Sequence, residues 1–362
     1  MQSATAYSSR AAGRETATGR VRLSAELRVA LDVARAAAAC YVALQHVANA
    51  RGWSEGPGII FRFGQEAVIV FFLLSGFVIY AQEHARALSP TGYFLRRTRR
   101  IYPPLICALI VSTLVALDNG DLAQNFNLRQ LFGTIFALQD VVSLKPGVIV
   151  NPYLGNLPLW SLSYEIAFYV VFPVILRAWI RSPVSVTHVI GATCCVMYLV
   201  YIVFPNHWAL VAAYFLLWWS GAMAAEAYFR GGRSVYSMRP CFAWLLVLCL
   251  IAAGTVFVDG FHGPGRFPIL PLRHFLVAAI ILAILFGPIG QRLTKILRAF
   301  AVPAGFVASI SYGIYVVHVP LLVISRHAKP LSGFLIMLLV TIGVSYLVDR
   351  GLSAVLPRAP VA

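Results

Sequence analysis

The feature that most constrains the fold is a succession of apolar runs of roughly 20 residues, each long enough to carry a helix across a hydrocarbon layer about 30 Å thick. Ten such runs lie near residues 28–50, 64–82, 101–117, 158–180, 186–204, 208–228, 241–259, 270–288, 304–325 and 331–349. Backbone immersed in lipid must satisfy its hydrogen bonds internally, so runs of this length predict helices. The expectation is an all-α, polytopic membrane helix bundle with about ten transmembrane helices. An eleventh apolar segment, LRQLFGTIFALQDVVSL at 128–144, is shorter and broken by polar residues. It reads as a re-entrant or interfacial helix. The chain is 60% hydrophobic and 12% charged, about half the charge of an ordinary soluble domain.

The net charge of +16 raises the question of a nucleic-acid partner, and its distribution answers it. With a cytoplasmic N-terminus, 20 of the 29 Lys and Arg residues fall in the N-terminal tail, the C-terminal end and alternate loops, among them Arg96, Arg97, Arg99 and Arg100. The opposite side holds only Arg51, Arg62, Arg129, Lys145, Arg266, Arg273, Arg326 and Lys329. This is the asymmetry that sets membrane orientation. It places both termini in the cytoplasm, requires that 128–144 does not cross, and gives nucleic acid no role.

Residues 1–25 are rich in Ala, Ser, Thr and Arg with one acid, Glu15, and read as a disordered cytoplasmic tail. Residues 26–350 form one membrane domain, and 351–362 a short cytoplasmic tail. The six cysteines all fall inside apolar runs and read as small buried hydrophobes, not as a disulfide framework or metal site. No zinc-ligand spacing, phosphate-binding loop, dinucleotide fingerprint or nucleophile elbow occurs.

Ionisable residues inside membrane spans are costly and tend to face the bundle interior, where they mark function. In LDVARAAAACYVALQH, Arg35 and His46 stand eleven positions apart. That spacing turns an α-helix through about 1100°, within about 20° of three turns, so both lie on one face about 16 Å apart along the axis. The plain alternatives are an Asp32 salt bridge or snorkelling for Arg35, and an interfacial histidine for His46. Span two, GQEAVIVFFLLSGFVIYAQ, carries Glu66, Ser75 and Gly76; helix packing explains Gly76. In YFLRRTRRIYPP the arginines suit orientation alone, but also phosphate binding by guanidinium forks; Pro103 suits the first turn of a helix. In NLPLWSLSYEIAFYVVFP, Trp160, Ser161 and Glu165 open span four, and a buried carboxylate requires a partner, for which His46 lies at a similar depth. SISYGIYVVHVPLL places Tyr312 and His318 in span nine, where a structural hydrogen bond competes with chemistry for His318.

Taken in order, these segments resemble acyltransferase family 3, integral-membrane enzymes that O-acylate bacterial glycans. The matching pieces are the Arg-x10-His opening, VFFLLSGFVI, RRTRRIYP, LWSLSYEIAFYVVFP and SYGIYVVHVPLL, spanning about residues 31–325. The resemblance implies acetyl-CoA or another acyl-CoA as donor, a cell-surface or exported polysaccharide, lipopolysaccharide or oligosaccharide as acceptor, and a bacterial inner-membrane location. No metal is implied. Arg35, Arg97 and Arg100 would hold the CoA phosphates, with the pantetheine arm threading toward His46. His46 would be general base and Glu165 its orienting partner; an acyl-histidine or an acyl-serine at Ser75 is the competing route. Glu66, Trp160, Ser161, Tyr312 and His318 complete the candidates. Larger relatives carry a soluble esterase-like domain absent here, implying action alone or with a separate polysaccharide-assembly or periplasmic transferase partner. LVDRGLSA departs from the family's last-span pattern, so Asp349 receives no role. The alternatives are a succinyl-type transfer to a lipid-linked sugar, a periplasmic glucan or a small molecule, and, from another class, a transporter or flippase with an Arg/His/Glu pathway. The absence of evident internal repeats counts against the last.

Overall fold

The computed structural model describes residues 23–84, 90–232 and 234–352. Most of the expected N-terminal tail and all but the start of the C-terminal tail lie outside these residues. The helices in chain order are α1 (Ala25–Ala50), α2 (Gly64–Glu83), α3 (Pro90–Asn119), α4 (Leu122–Asn125), α5 (Leu128–Ile135), α6 (Trp160–Arg181), α7 (Pro183–Val203), α8 (His207–Phe229), α9 (Arg239–Asp259), α10 (Ile269–Phe286), α11 (Pro288–Leu297), α12 (Ala301–Ser309), α13 (Ser311–His318) and α14 (Leu331–Tyr346). The described residues contain no β-strand, only an isolated bridge between Gln139 and Val150.

The protein is a multi-pass membrane helix bundle. Among the described residues, eight helices are long and apolar enough to cross a membrane, and the bent pair α12–α13 can supply a ninth span. α1 has the length, 26 residues, but carries Arg28, Asp32, Arg35 and His46; its neighbours α2, α12 and α13 provide the setting for them. α5 has eight residues, about 12 Å of helix, and leaves Leu128 and Phe132 exposed along one side. It is a surface helix and does not cross.

The core is organised on α8, 89% of whose apolar window is buried, against 17% for α14. α2 lies directly on α8. A Cβ at Gly76 would stand 1.9 Å from the Trp218 carbonyl oxygen, and one at Gly221 2.0 Å from that of Leu73. The two glycines let the backbones touch, which fixes the packing role read for Gly76.

Two expected spans differ in shape. The helix over RRTRRIYPP begins at Pro90, so Pro103 and Pro104 lie inside α3 and not in its first turn. The reason is tertiary: Tyr93 is wholly buried and donates to the Tyr169 carbonyl at 3.1 Å. Arg96 and Arg97 also grip Glu83 at 2.7 and 3.3 Å, pinning as helix the turns that the prolines would otherwise have ended. Span nine breaks at Ile310 with a 54° bend and finishes after α13 in a π-helical turn, Val319–Ile324. The break frees backbone N–H groups at the start of α13. The buried carboxylate of Asp349, one turn beyond α14, accepts the Gly313 N–H at 2.8 Å, as a helix-terminus cap requires.

Candidate active site

The bundle has a basic end, marked by Arg96–Arg100, and an opposite end, where α1 finishes and α2 begins. A cavity of about 340 Å³ opens among α1, α2, α3, α6 and α13. At its mouth stand Gln82, Arg96, Arg97 and Arg100; deeper are Arg35, Ser75, Glu165 and Tyr169; its head is closed by Phe71, Ser161 and Tyr315. Sequence reading placed Arg35, Arg97 and Arg100 at one site, and the structure brings them together there with Ser75, Ser161, Glu165 and Tyr312.

Cations outnumber carboxylates at the mouth. Glu83 engages both Arg96 and Arg97, while Arg100 lies over the Tyr312 ring at 5.7 Å. Arg97 also spends one nitrogen on Gln82 at 3.1 Å, yet its buried Nε has no partner among the described residues. A buried donor without an acceptor is unfavourable unless a ligand supplies one.

Glu165 does not meet His46, contrary to expectation. Its Oε1 accepts from Ser75 Oγ at 2.9 Å and from the Tyr169 hydroxyl. Ser75 Oγ in turn accepts from Trp218 Nε1 at 3.1 Å. Arg35 is within electrostatic reach of Glu165, Asp32 and Arg100. The depth of His46 is set by its neighbour Gln45, which abuts Gly64 at the start of α2. Ser75 lies eleven positions further along α2, about 16 Å deeper, so Glu165 shares the level of Arg35. The apolar run misleads because it begins inside the protein. Asn156 is wholly buried, donating to the Val316 carbonyl at 2.8 Å, and Gln139 from the preceding loop donates to the Leu159 carbonyl at 2.7 Å.

His46 is half-buried, and its ring lies 5.3 Å from that of His318, centroid to centroid. His318 is fully buried and hydrogen-bonds through Nδ1 to the Ile314 carbonyl at 2.9 Å. Tyr315 connects the two levels: its ring is 6.3 Å from His318, and its hydroxyl contacts Ser161 Oγ at 2.8 Å and the Pro158 carbonyl at 2.7 Å at the head of the cavity. A line of polar groups therefore runs from Arg97 and Arg100, through Arg35 and Glu165, past Ser161 and Tyr315, to His318 and His46.

Against this geometry the comparisons fall into place. A family described as an acyltransferase domain matches residues 28–350. The chain belongs to this family. Among curated relatives, Nodulation protein 10 of Rhizobium leguminosarum bv. viciae is 29% identical over 41% of this chain and 44% of its own length. Acyltransferase MdmB of Streptomyces mycarofaciens is 32% identical over 45% of this chain and 42% of its own. Exopolysaccharide production protein ExoZ of Rhizobium meliloti (strain 1021) is 29% identical over 33% of this chain and 36% of its own. The chain thus spans less than half the length of the relatives it matches. No solved structure is significantly similar to it.

The matched domain also contains candidates that the structure moves out of the cavity. Glu66 is buried and paired with Arg273 at 2.5 Å. Trp160 packs parallel to His274 at 6.4 Å and carries the Lys145 ammonium over its ring at 3.7 Å. Lys145 is itself paired with Asp140 at 2.7 Å, both side chains at most 1% exposed. Burial pushes the Lys145 ammonium pKa down, and Asp140 opposes the shift. The sequence reading passed over Tyr169 and gave Asp349 no role. Tyr169 is the i+4 neighbour of Glu165 and was findable by spacing; Asp349 acts only because α12–α13 is broken, which no local pattern announces. No cluster of three or more His, Cys, Asp or Glu side chains placed to hold a metal occurs among the described residues.

Proposed function

We propose that the protein is a membrane O-acyltransferase of the bacterial inner membrane, with both termini cytoplasmic. In this reading it moves an acetyl group from cytoplasmic acetyl-CoA to a hydroxyl of a cell-surface or exported polysaccharide, lipopolysaccharide or oligosaccharide. The observation that carries the reading is the polar line from a cation-rich mouth to a half-buried histidine within one family domain. A cavity of about 340 Å³ suits the acyl-pantetheine arm and not the nucleotide. The phosphates therefore rest outside on Arg97 and Arg100, where the free Arg97 Nε offers a donor. Arg35, balanced by Glu165, holds the arm midway.

At the far end His46 takes the proton of the acceptor hydroxyl, whose oxygen attacks the thioester carbonyl. The C–S bond breaks, and the departing thiolate recovers the proton from the imidazolium. A ring nitrogen that bears a lone pair suits this exchange. Glu165 serves the donor channel and not His46. A second route has its own support: Ser75 donates to Glu165, the arrangement of a nucleophile beside a base. Retention of transfer in Ser75→Ala excludes that route. Similarity to the acyltransferase MdmB and to the exopolysaccharide production protein ExoZ favours acyl transfer and an exported polysaccharide.

The deciding experiment is mass spectrometry of envelope polysaccharides from cells with and without the gene, joined to vesicles that hold the purified protein and labelled acetyl-CoA on one side. Acetyl label should reach polysaccharide across the bilayer only when the donor faces the basic end. Unchanged acetylation in the deletion strain, or substrate crossing without CoA consumption, would sink the reading.

A further inference from the structure

We infer that His318 is the positioning residue of His46, and that the two imidazoles act as one proton-accepting unit. This rests on the proposed acyl transfer and adds a residue to it.

Three observations carry the inference. First, Nδ1 of His318 faces the Ile314 carbonyl at 2.9 Å. A carbonyl only accepts, so Nδ1 bears the proton and Nε2 is a bare lone pair. Second, that Nε2 is buried without a partner among the described residues, in a side chain with 0% exposure. A buried acceptor left empty is unfavourable and marks a place where a donor belongs. Third, of the two rings packed on His318, that of His46 is nearer, 5.3 Å against 6.3 Å for Tyr315. At that centroid separation a small ring rotation brings facing nitrogens within hydrogen-bond range. The Tyr315 hydroxyl is already engaged with Ser161 and the Pro158 carbonyl, which leaves His46 as the donor.

The consequence is a fixed tautomer. One ring N–H of His46 points to His318 Nε2, and its other nitrogen presents a lone pair on the accessible side of the ring. When that lone pair takes the acceptor's proton, the new positive charge is shared along an N–H···N bond whose far end is the Ile314 carbonyl. No carboxylate is hydrogen-bonded or ion-paired to either ring among the described residues; His318 is held by the Ile314 carbonyl and packs on His46. The unit starts neutral and accepts one proton, returned to the CoA thiolate as the C–S bond breaks. The arrangement resembles a catalytic His oriented by a third group, with an imidazole in the carboxylate's place.

The test uses purified full-length protein in lipid nanodiscs, acetyl-CoA, and the polysaccharide fraction of the deletion strain as acceptor. His318→Leu removes the lone pair; His318→Gln returns an acceptor oxygen at the Nε2 position. The Leu variant should lose about 100-fold or more in kcat with KM for acetyl-CoA unchanged, and the Gln variant should stay within about 10-fold of wild type. Losing the acceptor makes the His46 imidazolium less stable, so the rising limb of the kcat–pH profile should move to lower pH in the Leu variant, by about one unit. Ring 15N spectra of histidine-labelled protein read the same pair without turnover: His318 protonated at Nδ1 only, and a His46 tautomer that changes in the Leu variant. Wild-type kcat and an unshifted limb in His318→Leu would overturn the inference, as would a Gln variant as poor as the Leu variant or an unchanged His46 tautomer. A wild-type protein that consumes no acetyl-CoA while its spectra show the pair would instead count against the proposed function and leave the pair standing.

Discussion

Two polar clusters sit inside the same bundle and teach opposite lessons. Around Asp140 the groups are matched. One oxygen accepts the Lys145 ammonium and the Val141 N–H, the other the Tyr164 hydroxyl, all at 2.7 Å, and the cation is roofed by Trp160. Around Arg97 the groups are unmatched. Two arginines share Glu83, a third rests on an aromatic ring, a buried Nε has no partner among the described residues, and a cavity adjoins them. Charge in a membrane protein is therefore not itself a sign of a binding site. What distinguishes the site is cations in excess of acceptors beside empty space, whereas a paired, sealed charge holds loops together.

That contrast can be broken at several points. His46→Ala should lower acetyl transfer by about 100- to 10,000-fold while the purified protein keeps its melting temperature and acetyl-CoA binding; full activity in this variant would remove His46 from the chemistry. Lys145→Ala strands a buried carboxylate and should cost about 3–5 kcal/mol, read as lost thermal stability and yield. Transfer per folded molecule should stay near wild type, and an equal loss of turnover at unchanged stability would move Lys145 into the site. The double variant Arg97→Ala with Arg100→Ala leaves Glu83 on Arg96, so it should cost less stability than Lys145→Ala, and it should raise KM for acetyl-CoA by about 100-fold or more, as expected for two charged hydrogen bonds worth about 1.5–3 kcal/mol each. Arg35→Ala should act in the same direction by about 10-fold, and a fall in kcat alone would break the donor assignment. Ser75→Ala should have the smallest effect, below about 10-fold, because it removes one hydrogen bond to Glu165 worth about 1 kcal/mol.

Much of this was legible in the sequence because membrane physics leaves few options. Span positions follow from run length, and the charge of α1 and α3 follows from where arginine is tolerated. Arg35, Arg97 and Arg100, grouped in the sequence reading, line one cavity because they crowd one end of the bundle. Glu165 was assigned to the wrong level because its depth was counted from the start of an apolar run that is itself buried beneath the 138–152 loop. The cap from Asp349 was invisible for a similar reason: it depends on a bend between two helices, which is a property of packing and not of periodicity. Trp160 and Glu66 stood in suggestive segments, yet their partners, Lys145 and Arg273, are remote in the chain and were recoverable only in three dimensions.

The bend at Ile310 has a consequence for biogenesis. His46 leaves the ribosome with the first span, whereas Tyr315 and His318 hang from a helix whose start is held by Asp349, beyond the last long helix. The two sides of the proposed reaction chamber are therefore separated by most of the spans of the chain. A partly inserted chain already possesses the arginines and the carboxylate of the donor cavity but lacks a closed reaction chamber. Under the proposed function, a chain in which Asp349 has not yet docked on α13 lacks the placed His318 and should not consume thioester.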